Sequence, residues 1–235
     1  METKPKVAVI LSGCGVYDGA EIHESVLSLL EIETQGGSYQ IFAPNIEQYH
    51  VINHLTGEEM NEKRNVLVEA ARIARGKIMP LNELNVDEFD AMLMPGGFGV
   101  AKNLSTWAFS GPQSTILMEL KDVIVTFHKK GKPIGALCIS PTTIAKALEN
   151  EKVNPTLTVG TTASASPYDI SSISKGIESL GAKHEPCDVN GIVIDAKNKI
   201  VTSPCYMMET SLFNVHQGIK RTVEALLGLI NQTKN

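Results

Sequence analysis

The residue in this chain best suited to chemistry is Cys138. The string Ala136-Leu137-Cys138-Ile139-Ser140 follows an apolar, strand-like run and leads straight into Pro141-Thr142-Thr143-Ile144-Ala145. A thiol there sits where a strand turns sharply into a helix. Such a turn pinches its central residue between backbone segments and demands small side chains two positions to either side, which Ala136 and Ser140 supply. The backbone N–H of Ile139 is then free to hold an oxyanion, and a helix N-terminus beneath the sulfur is expected to favour thiolate over thiol. The bland reading of the same string is a buried cysteine packing as a small hydrophobe.

Two carboxyl groups come with a second turn. Ala20-Glu21-Ile22-His23-Glu24-Ser25 opens a helix and puts Glu21 and Glu24 on one side of its first turn. Both suit a helix N-terminus. A carboxylate beside a thiolate would raise the thiol pKa, so a useful Glu24 is protonated and donates to sulfur, or it shuttles a proton. Pro95-Gly96-Gly97-Phe98-Gly99 is either a tight turn or a set of backbone N–H groups, at Gly96 and Gly97, aimed with Ile139 at a developing oxyanion.

Alternating elements position these groups. Lys6 to Leu11 reads as a strand buried on both faces, and Ala20 to Glu33 as a helix with Ile22, Val26, Leu29 and Leu30 inward. Tyr39 to Ala43 is a strand, and Glu62 to Arg75 a helix with Val66, Ala70 and Ile73 inward. Asp90 to Met94 is a strand, Thr115 to Lys130 a helix with Leu117, Leu120, Ile124 and Phe127 on one stripe, and Ile134 to Leu137 a strand. After Thr156 the pieces are short: extended 157–159, a helix near 172–180, a hairpin of 192–195 and 200–202 across Asn198-Lys199, and a closing helix 212–230. The pattern predicts an α/β, doubly wound, mostly parallel sheet with helices on both faces and a site at its carboxyl edge. No linker or repeat divides residues 1–235, so one domain is expected.

Composition narrows the function classes. A net charge of −5 and no Lys/Arg cluster beyond Lys129-Lys130 argue against nucleic acid. No run approaches the roughly 20 apolar residues of a membrane span, and the N-terminus lacks a secretory pattern, so a cytoplasmic protein is expected. The four cysteines form no zinc or disulfide pattern, and Cys14, Cys187 and Cys205 read as passive. Ser12-Gly13-Cys14-Gly15-Val16-Tyr17-Asp18-Gly19 fails as a dinucleotide fingerprint because Asp18 stands where the third glycine belongs. His23, Glu24 and His54 have no diagnostic metal spacing. Neither a metal nor another cofactor is expected.

Three segments, Gly19-Ala20-Glu21-Ile22-His23-Glu24, Met94-Pro95-Gly96-Gly97 with Lys102-Asn103-Leu104-Ser105, and Ala136-Leu137-Cys138-Ile139-Ser140-Pro141, together resemble the ThiJ/PfpI superfamily. Leu11 to Gly19, Val51-Ile52-Asn53-His54-Leu55-Thr56-Gly57 and Arg64-Asn65-Val66-Leu67 resemble its ElbB branch, bacterial proteins linked to isoprenoid synthesis and described as glyoxalases. The resemblance implies a flavodoxin-like sandwich of the class I glutamine amidotransferase type, frequent homodimers, a nucleophile at Cys138 and a partner carboxyl at Glu24. It further implies a lyase-type conversion of small dicarbonyls such as glyoxal and methylglyoxal to hydroxy acids without glutathione or metal, a reaction that deglycase activity would mimic. Protease-like relatives carry His after the nucleophile, where this chain has Ile139, so peptidase activity is not expected. A histidine of some glyoxalase relatives corresponds loosely to His184. An amidotransferase would need a late His-x-Glu pair, and only adjacent His184-Glu185 is present. The alternative from a different class is a thiol-based redox sensor or regulatory binding protein working through Cys138.

Overall fold

The computed structural model describes residues 4–231. Seven strands form one sheet in the order β3-β2-β1-β4-β5-β9-β8. They are β1 (Lys6–Ile10), β2 (Ser38–Ala43), β3 (Ile78–Pro80), β4 (Ala91–Met94), β5 (Ile134–Leu137), β8 (Val193–Asp195) and β9 (Ile200–Ser203). All neighbours run parallel except β8, which pairs with β9 as an antiparallel hairpin in the register Val193↔Thr202. Lys199 turns that hairpin at φ 54°. A separate parallel pair joins β6 (Thr156–Leu157) to β7 (Lys183–His184). This is the expected flavodoxin-like, class I glutamine amidotransferase-like fold.

Each central strand is apolar on both faces because both are covered. Ala8, Ile10, Met92, Met94 and Ala136 pack against Leu120, Ile124 and Phe127 of α4 (Met118–Lys129) and Ile144 and Leu148 of α5 (Ser140–Leu148). Val7, Val9, Leu93 and Leu137 pack against Ile32 of α1 (Ile22–Thr34), Val66 and Ala70 of α2 (Val66–Ile73), and Val215, Ile219, Val223 and Leu226 of α7 (Leu212–Asn231). A short α3 (Trp107–Ser110) follows a π-helical turn, Val100–Leu104, and α6 is Ile170–Ser179. Chain direction away from the first strand reverses between β1 and β4, which leaves a crevice above their carboxyl ends.

The structure corrects the expected reading of α1. Of the four residues expected inward, Leu29 is buried, but Ile22, Val26 and Leu30 are 43%, 47% and 50% exposed, while Glu24, Ser25, Ser28 and Glu31 are buried. The reason is polar packing. Glu31 meets His216 of α7 at 2.6 Å, Gln35 Nε2 donates to the Lys220 carbonyl at 3.1 Å, and Glu24 turns into the crevice. The second helix starts at Val66 rather than Glu62, because Asn65 caps it by accepting from the Val68 N–H at 3.1 Å. The three-residue β3, the two-residue β7 and the four-residue α3 are too short to show a period.

Candidate active site

Cys138 stands at φ 58° between β5 and α5. A left-handed backbone costs a side-chain-bearing residue roughly 1–2 kcal/mol, and the surroundings hold it there. The Cys138 N–H donates to the Ser203 carbonyl at 2.9 Å, and Ser140 Oγ donates to the Pro95 carbonyl at 2.7 Å. These two bonds tie the elbow to β9 on one side and to the turn after β4 on the other.

Glu24 is completely buried beside it. Its Oε2 accepts from the Gly96 N–H at 2.8 Å and its Oε1 from the Tyr206 N–H at 3.4 Å. Burial, reinforced by the neighbouring Glu21 carboxyl, pushes Glu24 up to about 8, against the pull of those two N–H groups and of Cys138. Glu24 therefore holds its proton at neutral pH. Burial also pushes the Cys138 thiol well above its usual value, followed by the effect of Glu24 and of Cys205. The N–H groups of Gly97 and Ile139 face the sulfur and oppose this. The expected preference for thiolate is thus overturned in the resting site, where desolvation and the adjacent carboxyl outweigh the helix N-terminus.

Gly96 must be glycine. A Cβ there would lie 2.3 Å from Cys138 Cβ, 2.9 Å from Sγ and 2.8 Å from Glu24 Oε2. Gly97 is held at φ 100°, with backbone atoms of Gly19 and Glu21 within 2.5 Å of any Cβ. Gly96→Ala is expected to lose about 1–3 kcal/mol of stability through overpacking. Displacing sulfur from carboxyl is expected to lower turnover by roughly 100-fold, and chemical denaturation with steady-state kinetics on one preparation checks both.

The glycine-rich turn after β1 is braced by side chains from the segment that follows β4. Asn103 Nδ2 donates to the carbonyls of Ser12 and Asp18, both at 2.9 Å, and Lys102 Nζ to that of Tyr17 at 3.0 Å. His54 Nε2 accepts from the Tyr17 N–H at 3.2 Å and its Nδ1 lies 3.0 Å from the Ile52 carbonyl. These contacts hold the His54 ring against the turn. His23 Nδ1 instead lies 2.9 Å from the Tyr206 hydroxyl and 3.9 Å from Glu21 Oε1. Among the described residues no group of three or more His, Cys, Asp or Glu side chains is placed to hold a metal, and no helix is long and apolar enough to cross a membrane.

Cys138 opens onto a cavity of about 240 Å³, walled by Glu21, Gly97, Phe98, Trp107, Ile139, Tyr168 and others. A wider vestibule outside it shares Val16, Glu21, Phe98, Tyr168 and Tyr206 and adds His23 and Glu209. The Tyr168 hydroxyl is pushed up to about 12 by burial, then by Cys138 and Glu24, so it stays protonated. His184 lies on β7, half-buried, and does not line the cavity. The Cys14 and Cys187 side chains are likewise outside it, whereas Cys205, also at positive φ (45°), is fully buried next to Cys138. Sequence reasoning missed Tyr168, Tyr206, Phe98 and Trp107, which come from four separated segments. Glu21, three residues before Glu24 on the same side of the helix turn, joins the cavity wall.

An elbow cysteine thus stands beside a buried first-helix carboxyl at the switch point of this sheet. No family model matches the chain. It is 45% identical over 226 residues to the human glutamine amidotransferase-like class 1 domain-containing protein 3, mitochondrial, covering 95% of this chain and 83% of that protein. It is 43% identical over 228 residues to the rat ES1 protein homolog, mitochondrial, covering 96% and 84%. The chain belongs to this ES1-type family of glutamine amidotransferase-like class 1 domain proteins. Among solved structures, an isoprenoid biosynthesis protein with an amidotransferase-like domain from Ehrlichia chaffeensis superimposes with a TM-score of 0.85 at 37% identity, over 95% of this chain and 99% of that one. Glyoxalase III from Candida albicans shares the fold, with a TM-score of 0.60 at 17% identity over 96% and 97%. The cytoplasmic expectation is overturned by these relatives, since both curated proteins are named mitochondrial.

Proposed function

We propose that the site converts small dicarbonyls to hydroxy acids without glutathione, with Cys138 as nucleophile and Glu24 as proton carrier. The observation that carries this reading is the completely buried Glu24 carboxyl, protonated at neutral pH and placed against the Cys138 sulfur. The two groups hold two protons at rest. Losing one leaves a Glu24 carboxylate beside the thiol, and transfer of the Cys138 proton to that carboxylate gives the reactive thiolate, which accepts hydrogen bonds from the Glu24 carboxyl and from the N–H groups of Gly97 and Ile139.

The thiolate attacks the aldehyde carbon, the C–S bond forms, and the carbonyl electron pair moves to oxygen, which takes the Glu24 proton. The resulting carboxylate removes the proton from the hemithioacetal carbon, giving an enediolate, and returns it to the neighbouring carbon, while the hydroxyl proton of the first carbon passes to the neighbouring oxygen. The first carbon becomes a thioester carbonyl. Water cleaves it, freeing the hydroxy acid and the Cys138 thiol, so the net change is addition of one water to the dicarbonyl.

The pH dependence follows from the resting protons. The doubly protonated pair is inactive, so kcat/KM is expected to rise with pH, half-complete near the Glu24 value of about 8. Glu24→Gln removes the carboxyl, leaves only a strongly raised thiol, and is expected to carry that limb to higher pH. An initial-rate profile from pH 6 to 10 for both proteins checks this. A flat wild-type profile over that range would overturn the shared-proton resting state.

A second reading is favoured by Cys205, whose sulfur lies beside Cys138. A hydroperoxide would transfer oxygen to the Cys138 sulfur, breaking O–O and releasing water or an alcohol. Condensation of that sulfenic acid with the Cys205 thiol would release water and form a disulfide. Mass spectrometry after peroxide treatment separates the readings: a Cys138–Cys205 disulfide without dicarbonyl turnover favours the redox sensor.

A further inference from the structure

The cavity above Cys138 is much larger than glyoxal or methylglyoxal requires. Its volume is about 240 Å³, and an apolar protein cavity of roughly 150 Å³ already accepts benzene. The wall away from the sulfur is apolar, built by Phe98, Trp107, Ile173 and Met207. Trp107 is fixed in place, because α6 lies flush against it: a Cβ on Gly176 would come within 3.1 Å of the indole ring.

The charge around the cavity is equally selective. No Lys or Arg lines it and Glu21 stands on the wall, so a bound anion would find no cationic partner there. Lys102 Nζ donates to the Tyr17 carbonyl and lies 5.3 Å from the centroid of the Phe98 ring, and Lys102 is not among the lining residues. The rings of Phe98 and Tyr168 meet edge to face at 5.9 Å and line both the cavity and the vestibule, so they frame the passage between the two.

We propose that the preferred substrate is an uncharged α-oxoaldehyde bearing an apolar or aryl substituent, with Trp107 and Ile173 selecting that substituent. This rests on the reaction proposed above and names its substrate class. The aldehyde carbon meets Cys138, and the substituent fills the space between Trp107, Ile173 and Phe98. Carboxylated and phosphorylated dicarbonyls are rejected, because burying their charge without a cationic partner is costly. The chemistry is unchanged: phenylglyoxal plus water gives mandelate.

The test compares kcat/KM for glyoxal, methylglyoxal, phenylglyoxal and 4-carboxyphenylglyoxal by product chromatography. Each buried apolar group strengthens binding several-fold, so phenylglyoxal is expected to exceed glyoxal by roughly 100-fold, with 4-carboxyphenylglyoxal well below phenylglyoxal. Trp107 is the only tryptophan, and its fluorescence reports occupancy without turnover. Acetophenone is expected to quench it saturably, and hydroxyacetone at the same concentrations is not. Ala108 borders the cavity and is exposed, so enlarging it does not overpack the core: Ala108→Phe is expected to lower the phenylglyoxal-to-glyoxal ratio at least tenfold. Turnover of glyoxal and methylglyoxal with phenylglyoxal no better, and no quenching by acetophenone, overturns the substrate class and leaves the proposed reaction standing. Saturable quenching by acetophenone with no turnover of any dicarbonyl supports an apolar occupant and overturns the reaction.

Discussion

Glu24→Gln is expected to make the protein more stable and nearly inactive at once. Glutamine can accept the 2.8 Å bond from the Gly96 N–H on its one carbonyl oxygen and turn its amide toward the Cys138 sulfur, giving up only the longer 3.4 Å bond from the Tyr206 N–H, which Glu24 takes on its other oxygen. It cannot carry a proton between carbons, and loss of a positioned acid–base group costs roughly 10²–10⁴-fold in turnover. The gain in stability comes from linkage. Below the ordinary value of 4.5 both folded and unfolded chains hold the Glu24 proton, and its ionisation contributes nothing. Between 4.5 and about 8 the unfolded chain releases the proton while the folded chain keeps it, so stability falls as pH rises, and above about 8 the penalty is complete. At pH 7 that penalty is about 3 kcal/mol on 1.36 kcal/mol per pKa unit. The variant is therefore expected to be more stable by about 1–3 kcal/mol at pH 7, with the difference shrinking toward pH 4.5. Denaturant unfolding at three pH values checks it, and a variant less stable than wild type at pH 7 would contradict a protonated, desolvated Glu24.

Cys138→Ala is expected to remove turnover by roughly three orders of magnitude or more, since no other thiol faces the cavity opening and nucleophile removal disables a coupled catalytic unit. Its effect on stability should be small. Alanine keeps the Cβ and so the left-handed strain at φ 58°, and losing one buried sulfur leaves a void costing about 1 kcal/mol. Cys138→Gly would relieve the strain and is expected to be the more stable of the two inactive variants. Residual activity in Cys138→Ala close to wild type would move the chemistry away from the elbow altogether.

Both variants act on residues that the sequence made visible, and the reason is local. The elbow shows itself because Ala136, Cys138 and Ser140 lie in one unbroken string, and the strand ends at Leu11, Met94 and Leu137 each run into residues that only a tight turn needs. The face of α1 was not visible, because the sequence marks apolar periodicity and this helix buries its carboxyls instead. Glu24 goes into the site, Glu31 goes to His216, and the Ile22, Val26 and Leu30 stripe faces outward. The cavity wall was equally hidden. Phe98, Trp107, Tyr168, Ile173 and Tyr206 come from distant segments, and only the folding of α3, α6 and the turn after β9 around β5 brings them together. The pairing of Cys205 with Cys138 depends on register: Leu137 opposite Ser203 places both cysteines just past the ends of adjacent strands.

The most direct measurement is the conversion of glyoxal to glycolate, followed by proton NMR for the wild type, Cys138→Ala and Glu24→Gln, with each protein shown folded under the assay conditions. The account predicts glycolate from the wild type and its near-complete loss in both variants. No glycolate from the folded wild type, or the same amount from all three proteins, would contradict it.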